Sequence, residues 1–211
     1  MTQNFSLKLI DSKAEISKKI NKAIAEEVNR LVNKNAPRMK RLLVATIPVW
    51  IRETPEIKSL VDSGPHTLNA HFGLGDQAIN ALDIIVESIV STIQIRIKPF
   101  NDRLVGGVEF AFQPDDFNNL LRLSVGHNKA YQETDLHWLD WLLNKGDSII
   151  VIGYQYKAEQ GKGRSEGGTM EKGGVWRVPP EFSGTEKNNF ITRSFSGREK
   201  QLRMLFEGLF N

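Results

Sequence analysis

Residues 12–51 read SKAEISKKINKAIAEEVNRLVNKNAPRMKRLLVATIPVWI, and this stretch decides the fold. Apolar residues recur at Ile16, Ile20, Ile24, Val28, Leu31/Val32, Met39, Leu42/Leu43, Ile47 and Trp50/Ile51. Steps of three and four place them on one face of a 3.6-residue helix. Lys18, Lys19, Lys22, Glu26, Asn29 and Lys34 occupy the other face. Ser12 and Glu15 have the S-x-x-E form of a capping box, so the helix starts there. Pro37 lacks an N–H, so the pattern predicts either two helices or one kinked rod. A rod of that length buries its stripe only against a sheet or another subunit.

Outward from this rod the pattern shortens. Pro55 opens a brief helix over 55–60, Ser63-Gly64-Pro65 forms a turn, and Asp76 is placed to cap a helix carrying Ala78, Ile79, Leu82, Ile85, Val86 and Ile89. Residues 92–98 and 108–113 alternate apolar and polar, the signature of half-buried strands. The intervening 99–107 contains Gly106-Gly107, so the two should pair as an antiparallel hairpin. Asp115 or Asp116 should cap a short helix with Leu120 and Leu121, and Thr134 or Asp135 a second over 136–144, ending at Gly146. Residues 149–154 are apolar on both sides and read as a central strand. Residues 157–174 hold six glycines and no periodicity, which predicts a flexible loop. Ser196 and Glu199 repeat the capping-box spacing before Leu202, Leu205, Phe206 and Leu209. The expected architecture is α+β: long N-terminal amphipathic helices on a small, mainly antiparallel sheet, closed by a C-terminal helix. It is a single domain with an arm (1–52), a core (53–156), a loop (157–175) and a C-terminal strap and helix (176–211).

The 211 residues contain no cysteine, which excludes disulfides, Cys-based zinc and iron–sulfur sites and thiol nucleophiles. The longest near-apolar stretch, 42–51, is about half of the roughly 20 residues a membrane helix needs, so no membrane partner is expected. The N-terminus has no apolar signal region. Charge is uneven. Residues 1–60 carry 12 Lys/Arg against 6 Asp/Glu, and residues 61–156 carry 6 against 12. Either the segments balance within one fold, or the basic arm meets the acidic flank of a neighbouring subunit. A basic arm can also face nucleic acid.

Catalytic motifs are incomplete. Asp115-Asp116 resembles half of a PD-(D/E)xK nuclease pattern, but His127-Asn128-Lys129 supplies no acid for the other half. Asp135, His137 and His127 have metal-ligand chemistry without a metal-binding helix spacing. Gly73-Leu74-Gly75 and Gly161-Lys162-Gly163 complete neither a dinucleotide fingerprint nor a Walker loop, and Ser124 lies in no nucleophile elbow. No enzyme activity and no cofactor are expected. Apolar motifs remain. LHWLDWLL (136–143) reads as a core helix, and WRVPPEF (176–182) as an extended strap. Trp176, Arg177 and Phe182, held by Pro179-Pro180, have the chemistry of interface anchors, together with Phe190 and, on the N-terminal helix, Ile24 and Val28; the strap either meets a neighbouring subunit or docks onto its own domain.

The succession TPEIKSL (54–60), LNAHFGLGD (68–76), QPDDFNNLLRL (113–123), LHWLDWLLNKGDSIIVIGYQY (136–156) and WRVPPEFSGTEKNNFITRSF (176–195) resembles a group of tailed-bacteriophage virion proteins. That group has a PEI-SL segment, an FGLPD-like turn, an LPWLEWLL–GD–III stretch and a WRVPPEFAGT…NFITRA motif. Gly75 and His137 stand here for Pro, Asp140 for Glu and Ser183 for Ala. The resemblance spans about residues 54–195 and is to small neck and tail-completion proteins that join head to tail. It implies a non-catalytic virion subunit, assembled in the host cytoplasm. Its partners would be copies of itself in a ring, neighbouring head-connector and tail proteins, and DNA in the channel. The alternative is a nucleic-acid-binding protein using the basic N-terminal region.

Overall fold

The computed structural model describes residues 10–114, 116–129, 135–161, 163 and 167–208. The rod is a single helix, α1 (Lys13–Arg52). Its start is the expected capping box: Ser12 Oγ accepts from Glu15 N at 3.3 Å, and Glu15 Oε2 accepts from Ser12 N at 2.8 Å. Pro37 and Pro48 lie inside it without ending it. An interior proline costs about 3 kcal/mol. Val32 and Met39 are buried on either side of Pro37, and Ile47 and Trp50 on either side of Pro48, so packing holds the helix through both.

α2 (Pro55–Val61), α3 (Leu68–Phe72) and α4 (Gln77–Ser91) follow and pack on the C-terminal half of α1. Asp76 occupies the N-cap of α4 but makes no side-chain cap bond. β1 (Gln94–Lys98) and β2 (Gly107–Ala111) pair antiparallel, from Gln94 opposite Ala111 to Lys98 opposite Gly107. Their loop is tied to α1, because the Asn29 amide donates to Phe100 O at 2.9 Å and accepts from Phe100 N at 2.7 Å. α5 (Asn118–Leu121) is entered through Phe117, a non-glycine residue at φ 52°. Asp116 accepts from Asn118 N at 3.1 Å, one residue ahead of the cap position; Asp115 lies outside the described residues.

β3 (Asn128–Lys129) and β4 (Asp135–Leu136) form a minimal ladder. Asp135 is therefore a strand residue and not a helix cap; Thr134 lies outside the described residues. The Trp helix begins at α6 (Trp138–Asp140), widens into a π-helical turn over Trp141–Lys145, and ends at Gly146 as expected.

Two expectations fail at the next step. β5 (Val151–Ala158) is not central: it pairs only with β6 (Gly168–Trp176), in a two-stranded ribbon. Half of the stretch read as a flexible loop, 157–158 and 168–174, belongs to these strands; 162 and 164–166 lie outside the described residues. Its glycines hid the strand period. Gly173 and Gly174, at φ 113° and 67°, form an irregularity opposite Gly153, where the register shifts between Ile152 and Tyr154. Such bulges bend a ribbon and interrupt its alternation locally.

α7 (Phe190–Phe195) is capped by Asn189, which accepts from Ile191 N and Thr192 N. α8 (Glu199–Glu207) begins after Arg198, with no side-chain cap bond. Ser196 instead ends α7, so the second capping box does not form; Leu209 lies outside the described residues. Phe206 stacks on Phe110 with centroids 4.7 Å apart, which joins α8 to β2. The fold is α+β, with the core between the C-terminal half of α1, α2 to α4, the Trp helix and α7.

Candidate assembly interface

The strap was expected to supply anchors for a neighbour. Instead, Trp176 is 7% exposed and Phe190 0% exposed, both within the chain's own core, and Phe182 packs against that core. The physical reason is a backbone clasp. Ile150 N donates to Trp176 O at 2.8 Å, Gly184 N to Trp141 O at 3.0 Å, and Gly146 N to Gly184 O at 2.7 Å. A Cβ on Gly184 would lie 1.7 Å from Leu142 O, so only glycine permits this approach. Pro179 is half-buried, while Arg177 and Pro180 are exposed. Arg177 makes no ion pair with the acidic middle region among the described residues.

Arg193 locks the same region. It pairs with Glu56, which is 1% exposed, and its Nη2 donates to Ser183 O at 2.8 Å and its Nε to Asn188 Oδ1 at 2.8 Å. The PEIKSL and NFITR motifs thus meet across 137 residues of sequence. Asn69 brackets the turn of LNAHFGLGD, accepting from Gly75 N at 2.7 Å and donating to Gly75 O at 3.2 Å. Trp138 Nε1 donates to Val125 O at 3.0 Å. These motifs hold the fold together.

The candidate chemical residues do not converge. Asp116 is exposed, and the Asn128 amide donates to Phe72 O at 2.7 Å, so among the described residues the two halves of the nuclease-like pattern form no site; Asp115 lies outside them. His127, Asp135 and His137 are brought together, but as neighbours of one another. His127 Nδ1 is 2.7 Å from Asp135 Oδ2, its Nε2 is 3.3 Å from Leu121 O, and its ring stacks on His137 at 3.9 Å. Stacked rings do not aim their nitrogens at a common ion. Burial, with His127 adding to it, lowers the His137 pKa. Among the described residues no group of three or more His, Cys, Asp or Glu could hold a metal. No described helix is long and apolar enough to cross a membrane.

The surfaces that stay open are apolar and basic. Ile20 and Ile24 on α1 are 54% and 44% exposed, with Val28 half-buried beside them. In this half of the helix only Ala25 and Val32 are fully buried. On the ribbon, Ile152 is 78% exposed, and its cross-strand partner Val175 is exposed too. Further along α1, Lys34, Arg38, Lys40 and Arg41 are exposed and enter no ion pair among the described residues. Sequence reasoning had assigned Lys34 to the polar face without singling out this cluster; its spacing was the signal. No family model matches the chain, and no curated protein or solved structure matches it.

Proposed function

We propose that the chain is a structural, non-catalytic subunit of a tailed-phage particle, and that its copies form a neck or tail-completion ring between head and tail, around the DNA channel. The observation that carries this reading is the N-terminal half of α1, which extends past the core with Ile20 and Ile24 open to solvent. A helix in that situation gains its stability from packing that a second molecule supplies. The motif resemblance supports a phage particle and, within it, a neck or tail-completion position. Head-connector and tail proteins are the neighbours it implies. The ribbon pair Ile152 and Val175 adds a second open apolar surface.

Electron microscopy of the purified protein in negative stain tests the reading. Rings or short stacked collars are expected. A uniformly monomeric preparation would overturn it. The basic surface of α1 supports a second reading, nucleic-acid binding through Lys34, Arg38, Lys40 and Arg41. Salt-dependent binding of duplex DNA without rings would favour that one.

A further inference from the structure

Lys34, Arg38 and Arg41 follow one another at steps of four and three. In a 3.6-residue helix these steps keep them on one line, which continues through Ala45 and Val49 to Arg52. Arg52 is the only one of these cations with a carboxylate partner among the described residues: its Nη2 lies 2.7 Å from Asp83 Oδ1 on α4. α4 carries a line of its own. Asp76, Asn80, Asp83 and Glu87 are spaced by four, three and four, and all are exposed. Asp76 and Glu87 have no ion-pair partner among the described residues. Each copy therefore has an unmatched basic line on α1, an unmatched acidic line on α4, and one bond between the two lines already made.

We infer that the basic line of α1 docks on the acidic line of α4 in a second copy of this chain, with Lys34, Arg38 and Arg41 facing Asp76, Asp83 and Glu87. Lys34 to Arg41 spans about 10 Å along its helix, which falls within the about 16 Å from Asp76 to Glu87. Apolar residues flank both lines, with Val49 beside the cations and Ile79 beside the carboxylates, both more than half exposed. Phosphate is a poorer occupant, because the exposed apolar Val49 gains nothing from it. The two lines lie on different helices, so a reciprocal contact would close as a two-fold dimer and a head-to-tail one would repeat from copy to copy. Head-to-tail contacts close into rings or run on as filaments. The inference rests on the assembly reading above and names its contact.

The test is charge reversal at both lines. One variant carries Arg38→Glu and Arg41→Glu, and the other Asp76→Lys and Glu87→Lys. All four positions are exposed, and Asp83 is left to Arg52. Association is followed by sedimentation velocity between about 50 mM and about 500 mM salt, where screening separates exposed charge pairs from buried contacts. The wild type should associate at low salt and weaken as salt rises. Each variant alone should associate at least about tenfold more weakly. Mixed in equal amounts, the two should associate again, because each then presents the charge the other lacks. Unchanged association of either variant, or no recovery on mixing, would overturn the contact while leaving assembly through another surface standing. A wild type monomeric at every salt would overturn both. Duplex DNA binding that is lost in the Arg38→Glu/Arg41→Glu variant, with self-association intact, would assign the basic line to nucleic acid and overturn the inference.

Discussion

Arg193 shows how one side chain can join distant motifs. Its guanidinium binds Oε1 of a carboxylate that is almost completely buried, and Glu56 Oε2 has no hydrogen-bond partner among the described residues. Removing the cation would leave that charge uncompensated. Arg193→Ala should therefore cost about 3 kcal/mol or more, read from urea unfolding. Glu56→Leu with Arg193→Leu should recover much of the loss, because an apolar pair of similar volume removes the buried charge altogether. His71 gives a pH prediction. Burial pushes its imidazole down from 6.5 to about 4, with His66 adding to the effect and Glu181 opposing it. Its ring lies 4.2 Å from that of Tyr156. The unfolded chain takes up a proton near 6.5, and the folded chain only near 4. The stability this neutral ring provides is complete above 6.5, declines as pH falls, and is lost by about 4. His71→Phe keeps a ring on Tyr156 without the titration. Denaturation between these pH values should show a shallower loss of stability in the variant; equal slopes would exclude His71 as a source.

At the scale of elements, packing decides what local preference leaves open. α1 continues through Pro37, where the Asn33 carbonyl loses its usual amide donor. Pro37→Ala restores that donor at an exposed position and should raise the melting temperature, by an amount worth up to about 3 kcal/mol. A fall would mean that the proline relieves a constraint elsewhere in the rod. The elements that were legible in the sequence, α1, α2, α4 and the β1–β2 hairpin, each carry an apolar period over their own length. β6 was not legible, because three of its nine residues are glycine, and two of these, Gly173 and Gly174, lie at the bulge where alternation slips. Asp135 read as a cap by residue type, but its partner His127 sits eight residues away, just before β3. The strap was misassigned for a related reason. Trp176 and Phe182 have interface chemistry, yet a Trp also fills a core, and only the clasp through Gly184 and Trp141 distinguishes the two. The Glu56–Arg193 pair had no local signal at all.

At the scale of the whole molecule, the chain separates into a core that satisfies itself and a helix half that does not. Trp176, Phe190 and the Trp helix belong to the core, so their truncation reports on folding. The N-terminal half of α1 is where assembly and folding come apart. Ile24 lies in the apolar period of α1, and at a buried site an aspartate in its place would cost several kcal/mol. At 44% exposure, with Ile20 at 54%, most of that cost disappears in the isolated subunit. Substitutions at such exposed positions usually change stability by no more than about 0.5 kcal/mol. In an assembly whose neighbour covers this surface, the same aspartates would be desolvated without partners. Ile20→Asp with Ile24→Asp should therefore leave thermal unfolding of the monomer close to wild type and abolish particles in negative stain. The defect would repeat at each copy of the interface in a ring, so a modest penalty per subunit suffices. If the variant assembles normally, the apolar line of α1 is not the contact; if the monomer itself melts early, the helix half is held by its own core.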